Sequence, residues 1–184
     1  MATAPFNPST FRPPSSSPAK AVSSFSKPSV DFLRGSWHVT HSTLPMWKTN
    51  RNVKITYTPL DTPPGAIDDL VEYQPLASDK WKTVNGIDKP HPQVDTAYNW
   101  RGKGWLKIAS SHWEVLGYGD EDGGWVVTFF EKTLFTPAGI DIYARRKGGL
   151  SSELVERIRA EMMKINDPAF QKQADQIFEI KHDW

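Results

Sequence analysis

Between Trp37 and Arg146 the chain falls into short stretches of alternating apolar and polar residues, each closed by a cluster of Gly, Pro, Asn or Asp. A period of two belongs to strands buried on one face, and its repetition at hairpin spacing points to an antiparallel, all-β fold. The cleanest case is 52–58, where Val53, Ile55 and Tyr57 share one face and Lys54, Thr56 and Thr58 the other. Strands are expected at 37–44, 52–58, 69–74, 80–86, 96–100, 105–108, 112–118, 125–131 and 139–146. Alternation turns Val71 and Tyr73 inward on the third, and Trp81 and Thr83 inward on the fourth. Pro63-Pro64-Gly65 marks 59–65 as a turn, and Pro90-His91-Pro92 marks 87–95 as a loop.

Two glycine-rich segments invite other readings. Arg101-Gly102-Lys103-Gly104 lies between two strands with no helix after it, so it reads as a hairpin turn and not a phosphate loop. Gly119-Asp120-Glu121-Asp122-Gly123-Gly124 is acidic, but it lacks the ligand spacing and terminal glutamate of a calcium loop.

The strands begin at Phe32–Leu44. Gly35 reaches backbone angles closed to other residues and suits a sharp entry into a sheet. From Trp37 onward, Trp37, Val39, His41 and Thr43 share one face of an extended strand. A large indole at the mouth of a strand reads as the plug at the closed end of a barrel. The segment that follows, 45–51, carries Met46 and Trp47 and reads as a lid over the opposite end.

Beyond 146 the period changes. Ser151 offers a helix cap, and Leu154, Val155, Ile158, Met162 and Ile165 recur at helical spacing, an apolar stripe for packing on the barrel wall. Asn166-Asp167-Pro168 ends that helix, 168–175 forms a second, and 176–180 forms a last strand. At the other end, residues 1–30 are rich in Pro and Ser and poor in apolar groups, so they are expected to be a disordered tail ahead of one domain at 31–184. Phe6, Phe11 and Phe25 are its possible tethers. Its basic, acid-free composition resembles a transit peptide, but its prolines oppose the amphipathic helix such peptides need.

A net charge of +1 gives no reason to expect nucleic acid as a partner. With no cysteine there is no disulfide, thiolate metal site or cysteine nucleophile, which favours a reducing compartment. No apolar run approaches the roughly 18–20 residues of a transmembrane helix, and no secretory signal is visible, so a cytoplasmic location is expected. Oligomeric state is not legible.

Up-and-down strands followed by a helix and a last strand resemble the lipocalin (calycin) superfamily. Gly35-Ser36-Trp37 resembles its Gly-x-Trp motif, Tyr118-Gly119-Asp120 is a loose counterpart of its second motif, and Arg146 stands where the family places a basic residue ending the eighth strand. The stretch from Trp113 to about Ile165 looks like the bacterial and apolipoprotein-D-like lipocalins. The resemblance implies an eight-stranded antiparallel barrel with a C-terminal α-helix packed on it, and a structural trio of Gly35, Trp37 and Arg146. Ile140, Ile142, Ala144 and Arg146 share the apolar face of their strand, which would carry the Arg146 guanidinium inward over Trp37. The chain departs from intracellular fatty-acid-binding proteins, which need a helical lid after the first strand. It also lacks the glycines of nitrobindin-like haem barrels.

A barrel of this size holds one small ligand. Val39, His41, Tyr57, Tyr73, Trp81, Trp100, Trp113 and Phe129 are the expected lining, a mostly aromatic wall suited to a hydrophobic lipid, terpenoid or polyketide. No metal, cofactor or catalytic triad is expected. His38 and His41 fall on opposite strand faces, and no serine sits in a nucleophile elbow. Two functions remain open. One is binding a hydrophobic small molecule. The other, by resemblance to lipocalin-like pericyclases of the Diels–Alderase type, is cofactor-independent cyclisation or isomerisation, with His41, Tyr57 and Tyr73 polarising the substrate.

Overall fold

Each strand hands directly to the next, so the only way to leave no open edge is for the last to pair with the first. In the computed structural model, which describes residues 11–20, 25–134 and 136–184, this is what happens. A one-turn helix α1 (Val30–Leu33) leads into β1 (Gly35–Ser42), β2 (Asn50–Pro59), β3 (Ile67–Pro75), β4 (Lys82–Pro90), β5 (Ala97–Gly102), β6 (Ser110–Gly119), β7 (Trp125–Phe130) and β8 (Gly139–Ala144). Every neighbouring pair is antiparallel, and β1 bonds both β2 and β8, closing an eight-stranded up-and-down barrel. Then come α2 (Ser152–Met163), α3 (Pro168–Ala174) and a two-residue β9 (Phe178–Glu179) paired to β1. Ser151 caps α2 and Asp167 caps α3, each accepting from backbone N–H groups of the first turn. Among the described residues, no helix is long and apolar enough to cross a membrane.

Two cores result. Inside the barrel lie Trp37, Val39, Val53, Ile55, Tyr57, Ile67, Tyr98, Trp113, Val115, Val126 and Tyr143. On its outer wall, α2 and α3 lay Leu154, Ile158, Met162 and Phe170 over Leu116, Val127, Phe129, Ile140 and Ile142. An outer wall covered by helices is as apolar as an inner one, so hydrophobicity alone does not say which face of β7 or β8 points inward. The alternation of Ile140, Ile142 and Ala144 therefore marks the helix-facing side. Asp141, Tyr143 and Arg145 point in.

The plug follows from that register. Gly35 adopts φ +95°, a backbone conformation that favours glycine. Trp37 is fully buried and donates its indole N–H to the Leu33 carbonyl at 2.8 Å. The guanidinium lying 3.6 Å over its ring belongs to Arg145, not to Arg146, and also donates to the carbonyls of Ser36 and Phe32. Arg146 is on the outside, 3.5 Å from Asp122 and bonded to the Gly149 carbonyl.

Three other expectations change. β4 continues to Pro90, through residues expected to be loop, and 105–108 is not a strand: a short 3-10 turn (Gly104–Leu106) lies there, and β5 pairs with β6. The segment expected to be a disordered tail is seated on the barrel at 11–17. Phe11 pairs with Gly117 and stacks on Trp125 at 5.5 Å, and a side chain at Gly117 would collide with its ring. Arg12 bonds the buried Glu114 at 2.6 Å, Ser15 donates to the same carboxylate from N and Oγ, and Ser17 Oγ donates to Asp167 at 2.7 Å. Polar side chains do here what the apolar-poor composition made unexpected. Phe25 lies edge-on to Tyr118, while Phe6 and the rest of 1–10 lie outside the described residues, as do 21–24.

Arg145→Ala should lower unfolding free energy by about 2–4 kcal/mol, from the lost ring contact and two charged hydrogen bonds. Arg146→Ala, at an exposed site, should stay within about 1 kcal/mol. Urea melts of the two variants side by side check this. Burial alone would raise the Glu114 carboxyl, but His112, Ser15 and Arg12 outweigh it and hold it at about 2. The strap's contribution is thus complete above the ordinary carboxylate range and is lost as pH falls through about 2. Arg12→Met removes the guanidinium from the buried pair, leaving Glu114 to Ser15 and His112, and should cost about 3–5 kcal/mol at pH 7 in the same assay.

Candidate functional site

The interior is aromatic across its width and polar at several points. Tyr57 on β2 stacks on Trp113 from the opposite wall at 5.7 Å and 9°, and Tyr98 stacks on the same indole at 4.7 Å and 20°. The indole N–H donates to Asp88 Oδ1 at 2.8 Å. Asp69 faces Tyr57 across one strand pair and Gly86 across the other. Gly86 has no side chain because the Trp100 indole lies against it, within 2.2 Å of where a Cβ would stand. Asp88 is one diagonal step away, opposite Ile67 and Trp100. Two carboxyls therefore share a box of four aromatic rings in the half of the barrel nearer the plug.

A second polar group lies towards the other end. Ser42 donates to Asp141 at 2.5 Å, and the Trp47 indole from the 3-10 turn Pro45–Thr49 leans toward the same carboxyl without a well-formed hydrogen bond. Thr128 faces Asp141, and the Tyr143 hydroxyl stands beside those of Thr128 and Tyr57 without a well-aligned bond. Asp69 Oδ1, Asp88 Oδ2, Thr128 Oγ1 and Tyr143 Oη are all buried and have no hydrogen-bond partner among the described residues. Leaving such a group unpaired costs about 1–3 kcal/mol each, so their convergence on one interior calls for an explanation.

Electrostatics follow from burial. Asp69 is raised well above the usual carboxylate range, by burial first and then by the neighbouring Asp88 and Asp68. Burial pushes Asp88 up to about 7 despite the Trp113 hydrogen bond, and pushes Asp141 up to about 7 despite Ser42. Tyr57 and Tyr143 are likewise raised, chiefly by burial. At neutral pH Asp69 therefore keeps its proton, while Asp88 and Asp141 stand near half-protonation.

The expected lining residues divide. Val39, Tyr57 and Trp113 are buried inside, Trp100 is half-buried inside, and Tyr73 is half-buried near the mouth, edge-on to Trp47. His41 is not inside. A bulge between Val39 and His41 shifts the register of β1 against β8, so Ser42 joins Asp141 inside and His41 pairs with the outward Ile142. Trp81 precedes β4 and is 53% exposed. Phe129 faces α3 and packs on Phe170 at 6.4 Å. Of the three residues expected to polarise a substrate, Tyr57 alone lies deep in the barrel. Asp69 was legible, since it shares the parity of Val71 and Tyr73. Asp88 lay in a stretch expected to be loop, and Asp141 was hidden by the inverted face of β8.

Outside the barrel, the ligand atoms of His112, Glu114 and Glu131 lie within 4.8 Å of one another. Glu114 is already bonded by Arg12 and Ser15, so the group reads as an ion-pair network under the N-terminal strap. A hollow of about 1180 Å³ lies nearby, lined by Lys89, Arg101, Lys107, His112 and Leu134. It is an open groove that also touches Trp100 and brings together none of the buried acids.

Neither a family model nor a curated protein matches the sequence. Among solved structures, the chain is similar to the siderocalin Ex-FABP, described as functioning through dual ligand specificities, at TM-score 0.55 and 12% identity over 83% of this chain and 95% of that one. At that identity the likeness is one of fold, and the fold is the lipocalin barrel.

An acid raised in the folded state binds its proton more tightly than in the unfolded chain, so it favours folding at low pH, and that contribution falls as pH rises toward its folded value. Asp88→Asn and Asp141→Asn keep the acceptor for Trp113 or Ser42 and remove the charge. Each should therefore match the parent in melting temperature near pH 4 and exceed it by several degrees at pH 8. Thermal melts across that range check the sign.

Proposed function

We propose that the protein binds a small molecule with a largely apolar body and a few polar groups in the lumen of its barrel. The observation that carries this is the set of buried, unpartnered polar atoms of Asp69, Asp88, Thr128 and Tyr143 set in an aromatic wall. A ligand that meets them recovers hydrogen bonds the protein itself does not supply, while its apolar body lies against Tyr57, Trp100 and Trp113. Trp47 and Met46 in the 3-10 turn at one barrel end suit the lid expected there. The likeness to a siderocalin barrel supports a ligand-carrying architecture without naming the ligand. A cysteine-free chain with no membrane-crossing helix among its described residues suits work in the cytoplasm on a diffusible molecule, without nucleic acid.

A second reading, cyclisation or isomerisation without a cofactor, is favoured by the acid pair. Asp88, with its carboxyl pushed up to about 7, is poised to give or take a proton near neutrality, and Asp69 beside it holds its own proton more firmly. Tyr57 would polarise the substrate alongside them. His41, on the outer wall, has no part in it.

Native mass spectrometry of protein purified from its own host, with extraction of what co-elutes, tests both. A retained compound that leaves unchanged, and is lost in Tyr143→Phe and Thr128→Val but kept in His41→Ala and Trp81→Ala, supports binding. Conversion of one isomer to another, slowed at least about tenfold by Asp88→Asn and untouched by His41→Ala, supports catalysis. Retention that tracks His41 or Trp81 instead would overturn the lumen as the site.

A further inference from the structure

The lumen carries a strong asymmetry of charge type. Three acids, Asp69, Asp88 and Asp141, are buried on inward positions of β3, β4 and β8. Among the described residues, the inward positions between the plug and the mouth carry no lysine, arginine or histidine. Arg145 is committed to the Trp37 ring at the floor, Lys82 is exposed at the start of β4, and Lys54 and Lys103 pair outside with Glu72 and Asp68. Asp69 and Asp88 each keep one oxygen without a partner, and around them stand the rings of Tyr57, Tyr98, Trp100 and Trp113.

Carboxyl oxygens without partners, set among aromatic side chains, are the chemistry that recognises an organic cation. The carboxylate supplies the charge-assisted hydrogen bond, and the surrounding rings supply an apolar wall for the methylenes beside the ammonium. Resting on the reading of the lumen as a binding site, we infer that its ligand is an amine, bound as the ammonium ion by Asp69 and Asp88 within the Tyr57–Trp100–Trp113 box. An anion would be repelled once Asp88 is ionised, and a neutral hydrocarbon would leave both oxygens unpaired. Thr128 and Tyr143, the other unpartnered groups, are uncharged and suit a hydroxyl or carbonyl further along the same ligand.

The groups facing Asp88 are Asp69 from β3, Tyr98 from β5 and Trp113 from β6, with Asp68 behind the sheet; Tyr57 from β2 and Tyr143 from β8 complete the ionisable set. None is a base. An arriving ammonium ion therefore pairs with an acid that must first lose its proton, so binding below pH 7 releases a proton and strengthens as pH rises.

The test uses three probes of one shape on the full chain: phenethylamine, propylbenzene and 3-phenylpropanoate. Calorimetry at pH 7.5 should find phenethylamine at least about tenfold tighter than propylbenzene, with no binding of the carboxylate. Asp88→Asn and Asp69→Asn should weaken the amine at least about tenfold and leave propylbenzene within about twofold. Should those variants fold poorly, titration of the parent protein at pH 6.5 in two buffers of different ionisation heat counts the released proton directly. Propylbenzene binding as tightly as the amine, with no proton released, overturns the amine and leaves the lumen reading intact. Failure of all three probes to bind overturns both.

Discussion

Closure of the sheet between β1 and β8 is the constraint on which the rest depends. Once β1 bonds two neighbours, every strand is paired on both sides and the interior can be reached only through the ends. One end is sealed by Trp37, held at its N–H by the Leu33 carbonyl and across its ring by Arg145. The bulge at Thr40 sets the register of the closing pair. Without it, Ser42 would not meet Asp141 and His41 would turn inward.

The barrel so closed does not hide its polar groups in proportion to their cost. Acids pushed to about 7 by burial destabilise the fold at neutral pH, and the hydroxyls of Thr128 and Tyr143 are buried without good partners. A barrel selected for stability alone would carry aliphatic groups at those positions. Stability is supplied on the outer wall instead, where α2 and α3 cover the apolar faces of β7 and β8. The N-terminal strap adds a buried ion pair, Arg12 with Glu114. The unsatisfied oxygens of Asp69, Asp88, Thr128 and Tyr143 gather inside, as expected when the interior serves a ligand.

Much of this was legible in residue order. The alternation at 52–58, the glycine before Trp37, the cap at Ser151 and the helical stripe through Met162 all express local rules, and the structure agrees with each. Reading failed where two faces of a strand are equally buried. On β8 the isoleucines looked inward because they are apolar, yet they belong to the outer core with α2 and α3, and Arg145 takes the place expected of Arg146. Phe129 failed for the same reason. His41 failed because a bulge inverts parity beyond it, and no residue type announces that bulge.

Antiparallel hairpin order, the C-terminal helix and the glycine–tryptophan entry to the first strand were determined by the sequence alone, because each rests on contacts between residues close along the chain. The strand count was not, since 105–108 reads as a strand and a 3-10 turn lies there. Which oxygens converge in the lumen was decided only by the tertiary structure. Asp69, Asp88 and Asp141 come from three strands, and their meeting depends on registers and closure that no single stretch contains. A one-residue slip moves a side chain through the wall, so the interior of a barrel is a property of the closed sheet and not of its strands.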